Sequence, residues 1–374
     1  MKSNNPFPTY SYNLPKYFCD RQKELEQLTG ALANGRNVVL LSLRRMGKTG
    51  LIKHLFYKLK SDKNIQCFYF DIMDTKTPDD FVNMLANSLI GSSDNKSGKI
   101  FDKVLQFFSK LNPVISINPE TGAPSIELKH NTIEQSKTTI TSIFNYLEQQ
   151  KKRVYIAIDE FQQITQYKET SFEAFLRSRI QHLQNINFIF SGSQQHILMS
   201  MFGNYSKPFY QSADFLKLDR INKEVYCNFI VKKFAETNKK VSKEIVLDLL
   251  DWTDIYTFYV QNTCNKLWYI SDKQVSTNDL KQTKETIINE KEYFYSNLKN
   301  LFNSSQYKLL ESIAINNGVK QPTAKDFIKK FNLGTPSTIN SSLKALIEKE
   351  YVYKENNEYK VYDIFLIKWI QKNN

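Results

Sequence analysis

The chain has 374 residues, which is long for a single compact domain, so we expect two or three domains. Hydrophobic residues make up 41% of the sequence, including 21 Tyr and 26 Phe, which is ample material for buried cores. The net charge is +13, from 51 basic and 38 acidic residues, and this excess favours anionic partners such as nucleotides or nucleic acid.

The cysteine content and the apolar pattern exclude several classes of protein. The four cysteines are widely scattered and only four histidines accompany them, so we expect neither a zinc site nor a disulfide framework. The amino-terminal segment MKSNNPFPTY lacks the apolar core of a signal peptide, and no apolar run approaches the length of a membrane span. These features predict a soluble cytoplasmic protein without a membrane partner.

The first third of the sequence alternates helical and strand patterns. The segment DRQKELEQLTGALANG predicts a helix, with Asp20 placed to cap it and Gly35 to end it. The next segments predict a strand, a helix, a strand and a helix, in this order: NVVLLSL, GLIKHLFYKLKSD, IQCFYFDIM and TPDDFVNMLANSLIG. Such alternation is typical of a parallel sheet that is covered by helices.

The middle of the chain adds an insert and two more strands. SSDNKSG, at residues 92–98, predicts a flexible linker, and the alternating segment at about 113–130 predicts a β-hairpin insert. After a further helix, RVYIAIDEFQQI predicts a strand that ends in Asp159 and Glu160. NFIFSGS then predicts another buried strand, which ends in small polar residues.

The carboxyl-terminal third is different in character. Helical patterns dominate from about residue 220 to about residue 300. The last seventy or so residues then predict three helices and two short strands around an Asn-Asn turn. This order is typical of a winged helix-turn-helix.

The segment SLRRMGKT, residues 42–49, follows the first predicted strand and is a candidate phosphate-binding loop. Such a loop needs converging backbone amides, a helix amino terminus, a cation and a hydroxyl for Mg²⁺. Gly47 permits the tight turn, Lys48 can reach the β- and γ-phosphates, and Thr49 can coordinate Mg²⁺. An ordinary strand-turn-helix with a surface lysine is the alternative. The candidate nucleotide-binding residues here are Ser42, Leu43, Arg44, Arg45, Met46, Gly47, Lys48 and Thr49.

Ser42 stands where the usual phosphate-binding motif has its first glycine. If the loop needs a positive φ at this position, serine costs about 1 kcal/mol there. Binding of the phosphates can absorb a cost of this size.

Two later strands end in side chains that suit a magnesium nucleotide. Asp159 can hold the water shell of the metal, and Glu160 can orient and deprotonate an attacking water. Ser193 can sense the γ-phosphate or that water. The alternatives are that the acids only cap helices and that the small residue only forms a turn. Asp71 also ends a strand, but nothing in the sequence indicates a role for it other than capping. The Gly-Lys-Thr turn together with the Asp-Glu strand favours nucleotide binding.

Hydrolysis also needs a positive group for the charge that develops in the transition state. Five arginines are candidates, although each can equally be a surface or interface residue: Arg44, Arg45, Arg177, Arg179 and Arg220.

An ordered set of segments resembles the prokaryotic and archaeal ATPase family, which is related to the AAA+ and STAND-like P-loop proteins. The segments are CDRQKEL, SLRRMGKT, CFYFDIM, IDEFQQI, FIFSGSQQHILMSMF, KPFY and YKVYDIFLIKWI, and they extend over nearly the whole chain. The resemblance implies an α/β fold: a P-loop NTPase core with five parallel strands and helices on both faces, then a helical lid and a winged helix. The domains are then residues 1–220, 221–300 and 301–374.

The resemblance also assigns roles by position. It makes Lys48 and Thr49 the Walker A pair and Asp159 and Glu160 the Walker B pair. It places Ser193 on the sensor strand and Asp20 with Arg21 in the segment that approaches the adenine. One departure concerns the lid, because relatives usually carry a Gly-x-Pro motif where this chain has Ile255, Tyr256 and Thr257.

The winged helix is a second functional lead. Its recognition helix would be TPSTINSSLKALIEKE, and the residues expected toward DNA are Thr335, Ser337, Thr338, Asn340 and Lys344, with Lys354 on the wing. The positive surplus after Asn317 is slight and contains no arginine, whereas readers of DNA usually rely on arginine. A packing module that reports the nucleotide state to a partner is the alternative.

The sequence therefore predicts a protein that binds ATP with Mg²⁺ and hydrolyses it, as a switch or motor that couples the nucleotide to the winged helix. Two other interpretations stay open. The protein can be a regulator that binds duplex DNA and needs no ATP turnover, or a scaffold that forms a homo-oligomer or binds a protein partner when ATP is bound.

Overall fold

The structure is a computed structural model, and it describes residues 5–9, 12, 14–91, 104, 106–109, 111, 113–117 and 124–374. Contacts between residues divide the chain into two compact units. One is Ser11–Asp219, and the other combines the amino-terminal residues with Arg220–Asn374. Residues 5–9 thus group with the carboxyl-terminal unit. The predicted linker at 92–98 lies outside the described residues.

The first unit contains a five-stranded parallel sheet, which confirms the predicted α/β fold. The strands of this unit are β1 (Val38–Leu41), β2 (Ile65–Asp71), β3 (Val114–Ile117), β4 (Pro124–Glu127), β5 (Arg153–Asp159), β6 (Ile186–Gly192) and β7 (Asp214–Lys217). The order in the sheet is β2-β5-β6-β1-β7, and every pairing within it is parallel. The central strands are buried because helices cover the sheet, whereas β7 is a short and mostly exposed edge strand.

The helices of this unit lie at Gln22–Ala33, Lys48–Leu59, Pro78–Gly91, Ile133–Gln149, Ser171–Ile180 and Gln195–Gly203. The prediction that Asp20 caps the first helix is wrong. The N-cap position belongs to Arg21, which has a left-handed backbone and makes no side-chain cap. Gly35 follows the end of this helix with a φ of 74°, the conformation that favours glycine.

Strands β3 and β4 pair antiparallel as a hairpin. Two asparagines on the helix Pro78–Gly91 hold this hairpin through their side-chain amides. Asn87 both donates to and accepts from the backbone of Ile126, and Asn83 does the same with Leu128. The outer edge of β4 is therefore satisfied by side chains rather than by another strand.

The second unit begins with five helices: Lys223–Ala235, Lys243–Trp252, Thr257–Ile270, Thr277–Glu290 and Glu292–Leu298. The winged helix follows, with helices Ser304–Ile315, Lys325–Phe331 and Pro336–Glu348, strands β8 (Val352–Glu355) and β9 (Glu358–Val361), and a last helix Ile364–Asn373. Asn356 and Asn357 have φ values of 49° and 62°, which a tight hairpin turn requires. The predicted three helices and two-stranded wing are thus confirmed.

None of the helices among the described residues is long and apolar enough to span a membrane.

Candidate nucleotide site

The candidate site lies at one edge of the parallel sheet. Strands β1, β5 and β6 are parallel neighbours, so their carboxyl ends meet at the same edge. The loop 42–49 follows β1, the Asp159–Glu160 pair ends β5, and Ser193 follows β6. Leu41 pairs with Gly192 in register, which brings the start of the loop beside the end of β6.

The loop 42–49 takes the conformation of a tight turn that leads into a helix. Gly47 has a φ of 93°, and the helix that begins at Lys48 has no side chain capping its first amides. Ser42 is not among the residues with positive φ, so the cost considered for serine at this position does not arise. The left-handed residue is instead Arg45, with a φ of 67°. The left-handed backbone therefore costs about 1 kcal/mol at Arg45 and not at Ser42.

Lys48 is only 7% exposed although it is charged. Its Nζ lies 3.4 Å from the carbonyl oxygen of Ser42 and 3.5 Å from that of Leu43, both of which belong to its own loop. These are long contacts for hydrogen bonds with a charged donor. The ammonium group of Lys48 thus lies close to two carbonyls of the loop that precedes its helix.

Asp159 joins the loop to the sheet. Its Oδ2 accepts a hydrogen bond of 2.8 Å from the hydroxyl of Thr49 and one of 2.9 Å from the hydroxyl of Tyr69. Its Oδ1 accepts one of 2.5 Å from Ser191. The residue is 3% exposed, so this network keeps a buried carboxylate satisfied.

Tyr69 and Ser191 are not among the site residues that the sequence predicts. Both lie in strands next to β5, at the end where the acids emerge, and a polar side chain near the end of a buried strand is the signal that marks them. Burial, followed by the negative charge of Asp159, raises the pKa of Tyr69, so its hydroxyl stays protonated and donates.

Glu160 is held by the end of β6. Its backbone is left-handed, with a φ of 54°. Its Oε2 accepts hydrogen bonds from the backbone amide of Ser193 at 3.1 Å and from the hydroxyl of the same residue at 2.9 Å. The amide nitrogen of Gln162 donates to this oxygen as well. The structure thus brings Glu160 and Ser193 together and adds Gln162, which the sequence did not indicate.

Asp71 is more than a capping acid. It is the register partner of Asp159 in the pairing of β2 with β5. Burial raises the pKa of Asp71, the hydrogen bond from the amide of Met73 works against this shift, and the negative charges of Asp159 and Glu160 act with burial. A cation bound at this edge of the sheet would relieve that repulsion.

The segment before the first helix packs on the helix of the loop. Phe18 stacks on His54, with ring centroids 4.1 Å apart. Asp20 and Arg21 follow with φ values of 57° and 70°. Arg21 is 4% exposed, and it donates to Glu24 at 2.8 Å through Nη1, while its buried Nη2 has no partner among the described residues. A buried donor of this kind suits an acceptor on a ligand.

The five candidate arginines have different surroundings. Arg44 and Arg45 belong to the loop itself. Arg177 donates to Gln181 at 2.9 Å, and Arg179 lies over the ring of Phe175. Arg220 belongs to the other unit, where it forms an ion pair of 2.6 Å with Asp254.

The turn that replaces the Gly-x-Pro motif lies within the carboxyl-terminal unit. Asp254 and Ile255 are both left-handed, with φ values of 47° and 55°, which is unusual for a β-branched residue such as isoleucine. Arg220 lies over the ring of Tyr256 at 4.7 Å, and the hydroxyl of Tyr256 lies 2.6 Å from that of Tyr353 in β8. This turn is therefore hydrogen-bonded to the wing.

Comparisons with known proteins agree with this geometry. A family model described as an ATPase domain predominantly from Archaea matches residues 18–258, and one described as a probable winged helix domain matches residues 293–372. No protein in the curated comparison matches the chain.

Solved structures share the fold at low sequence identity. A Walker-type ATPase of Pyrococcus abyssi superposes with a TM-score of 0.68 at 16% identity, over 98% of this chain and 99% of that one. The ORC2 protein of Aeropyrum pernix gives a TM-score of 0.59 at 12% identity, over 99% and 97%. The ORC1 protein of the same organism, in complex with DNA, gives 0.50 at 12% identity, over 96% and 95%. At these identities the likeness shows the fold alone.

Proposed function

Because the chain belongs to the family of ATPase domains found predominantly in Archaea, we propose that it binds ATP with Mg²⁺ at the edge of the parallel sheet and hydrolyses it. The observation that carries the proposal is the hydrogen bond of 2.8 Å between Thr49 and Asp159. This bond joins the phosphate-loop hydroxyl to the carboxylate at the end of β5. Both are oxygen ligands of the kind that Mg²⁺ prefers.

The loop 42–49 would hold the phosphates. It would do so with backbone amides beside the start of its helix, where no side chain caps the first turn. The residues concerned are Ser42, Leu43, Arg44, Arg45, Met46, Gly47, Lys48 and Thr49. Phosphate oxygens carry a full negative charge, so they attract the ammonium group of Lys48 more strongly than the two loop carbonyls do at 3.4 and 3.5 Å.

Magnesium and adenine would be bound at two sides of this loop. Thr49 and Asp159 supply two oxygens to Mg²⁺, and water and phosphate oxygens complete its shell. Asp20 and Arg21 lie in the segment that packs on the loop helix, and Nη2 of Arg21, which has no partner in the described part of the chain, would donate to the nucleotide.

Hydrolysis would use Glu160 and Ser193. Glu160 deprotonates a water as that water attacks the γ-phosphorus, and Ser193 fixes the carboxylate from the end of β6. Arg44 and Arg45, which belong to the loop, would be the candidates to stabilise the developing charge.

The nucleotide state would be carried to the winged helix through the helical lid, as in a STAND-like switch or a motor. Support comes from within the carboxyl-terminal unit, where Arg220 forms ion pairs with Asp254 and with Glu355 of the wing, and Tyr256 is hydrogen-bonded to Tyr353 of the wing. These contacts fasten the lid to the wing, so the two would respond together. The four free cysteines agree with a cytoplasmic location.

A second candidate function, the binding of duplex DNA, is favoured by the surface of the helix Pro336–Glu348. Ser337, Asn340 and Lys344 are exposed on this helix, and Lys354 is exposed on the wing. Thr335 instead caps the helix by accepting the amide of Thr338. A solved relative of this fold, the ORC1 protein, is in complex with DNA.

The proposed function is tested by release of phosphate from ATP, with Mg²⁺ and with a chelator. We expect turnover only with Mg²⁺, and we expect Asp159→Asn to abolish it. The matched control is Asp62→Asn, because Asp62 is an exposed acid near the opposite end of β2. Turnover that persists in the chelator, or that survives Asp159→Asn, would refute the assignment of the metal site.

The scaffold interpretation gives a separate readout. Light scattering with and without ATP measures the mass of the protein in solution. An ATP-dependent change of mass in a variant that cannot hydrolyse ATP, such as Glu160→Gln, would favour a scaffold that needs no turnover.

A further inference from the structure

Three donors converge on one oxygen of Glu160. The amide and the hydroxyl of Ser193 donate to Oε2, and so does the side-chain nitrogen of Gln162. No hydrogen bond to the other oxygen, Oε1, occurs among the residues that the structure describes. One carboxylate oxygen is thus fixed by the protein, and the other is left to accept from a ligand or a water.

In this position, Gln162 leaves one of its buried polar atoms without a hydrogen-bond partner among the described residues. It lies in the short helical turn Phe161–Gln166 and is 4% exposed. Its nitrogen reaches Glu160, but its Oε1 is buried and has no hydrogen-bond partner in the described part of the chain. A buried acceptor without a partner costs about 1–3 kcal/mol. The amide cannot turn round to relieve this, because its oxygen would then face the negative carboxylate.

Gly192, the last residue of β6, provides the space for this arrangement. A Cβ at Gly192 would lie 1.9 Å from Oε1 of Gln162 and 3.2 Å from Leu198. The φ of Gly192 is not positive, so glycine is needed here for room and not for its backbone freedom. The end of β6 is therefore shaped to admit the side chain of Gln162.

We propose that Gln162 is a positioning residue for hydrolysis. With Ser193 it holds Oε2 of Glu160, so that Oε1 points to the attacking water. This inference rests on the proposed ATPase function and names a residue to which that function gives no role. As the water oxygen bonds to the γ-phosphorus, the bond from that phosphorus to the bridging oxygen breaks and ADP keeps the electron pair. The proton of the water passes to Oε1 of Glu160 and then to the phosphate.

Gln162→Met tests the inference, because methionine has a similar length but cannot donate. We expect ATP affinity to change less than twofold and kcat to fall about 10- to 100-fold, since a misaligned base costs rate and not binding. The matched control is Gln163→Met, because the side chain of the neighbouring Gln163 donates to the carbonyl of Thr75, and only its backbone amide bonds to Glu160, at the carbonyl oxygen. The control should keep its kcat.

A double variant separates positioning from a general structural defect. In a Glu160→Gln background, Gln162→Met should cause no further loss of kcat, because the base that it positions is gone. A structural defect would lower kcat and ATP affinity in both backgrounds, and that result would overturn the inference.

Gln162→Glu gives an independent readout through its pH profile. When the introduced carboxyl group is ionised it would repel Glu160, whereas in its protonated form it can donate to Glu160 as glutamine does. We therefore expect the ratio of the variant's kcat to that of the wild type to rise as the pH falls toward about 5. A ratio that does not depend on pH would contradict the positioning role.

The outcomes also separate this inference from the proposed function. If wild-type protein binds ATP but releases no phosphate, the ATPase function fails and the positioning role fails with it. If Glu160→Gln abolishes turnover while Gln162→Met keeps the full kcat, only the positioning role is refuted.

Discussion

The sheet edge and the winged helix present their polar residues in opposite ways. At the sheet edge, Asp159 and Ser193 are buried and held by contacts that cross from one strand to the next, and the buried Lys48 lies near carbonyls of its own loop. On the winged helix, Asn340 and Lys344 are exposed, and Lys344 lies 3.9 Å from Glu348, one turn away on the same helix. Buried polar groups must be satisfied, so their arrangement is specific, while exposed ones are constrained little by the fold.

This difference predicts where substitutions act strongly. At the sheet edge, a change in one side chain should disturb both stability and ligand binding. On the winged helix, it should disturb only the binding of a partner. The following variants test this contrast, from the largest expected effect to the smallest.

Lys48→Ala should have the largest effect, and it should appear in ATP binding. Loss of charged hydrogen bonds to phosphate, worth about 1.5–3 kcal/mol, weakens affinity by roughly 10- to 100-fold. Equilibrium titration with a fluorescent ATP analogue measures it. Lys58→Ala is the control, since Lys58 is an exposed lysine on the same helix. If the two variants bind ATP with equal affinity, Lys48 does not contact the phosphates and the predicted difference between the sheet edge and the exposed surface fails.

Tyr69→Phe should lower the free energy of unfolding by about 1–2 kcal/mol, because the buried carboxylate of Asp159 then loses one of its donors. Denaturant titration of nucleotide-free protein measures the change. Tyr57→Phe serves as the control, since Tyr57 is 52% exposed. A Tyr69→Phe variant as stable as the wild type would show that the network is not coupled to folding.

Asp71→Asn should stabilise the nucleotide-free protein at neutral pH. The pKa of Asp71 is raised in the folded state, so its contribution to stability is present below the unfolded pKa and is lost as the pH rises through the folded pKa. Asparagine removes that loss, so the gain should vanish in acid, below about pH 4. Thermal unfolding across the pH range measures it. A gain that is independent of pH would exclude the electrostatic cause.

Lys344→Ala should leave the free energy of unfolding within about 0.5 kcal/mol of the wild-type value, because this side chain is exposed. If the helix binds duplex DNA, the same variant should weaken binding. The slope of log K against log salt concentration should also become shallower by about 1, as expected for the loss of one phosphate contact. Titrations of a DNA duplex at several salt concentrations measure both. A slope equal to that of the wild type would place Lys344 away from the phosphates.

The sequence predicted the fold because its strongest signals are local. Apolar runs that end in acids, a Gly-Lys-Thr turn and a helix-rich third each identify an element without reference to the rest of the chain. The apolar pattern did not predict strand β7, because this strand is short and mostly exposed and so lacks the apolar run of a central strand.

Side chains that act on other side chains were harder to predict. Tyr69 reaches Asp159 across 90 residues of sequence, because strands β2 and β5 are neighbours in the sheet. Gln162 is only two residues from Glu160, but its position depends on the left-handed backbone of Glu160 and on the room that Gly192 leaves. The sequence also did not predict the conformation of the loop, in which Arg45 and not Ser42 has the positive φ. Such features depend on tertiary contacts, which no local pattern encodes.

The most direct test of the central claim is single-turnover hydrolysis of ATP by Glu160→Gln beside the wild type, with the bound ATP measured in the same samples. Glutamine keeps the shape of the side chain but cannot take the proton of the water. The account predicts that bound ATP stays equal in the two proteins while the rate of phosphate release falls about 100-fold or more. Release at the wild-type rate from Glu160→Gln would contradict it.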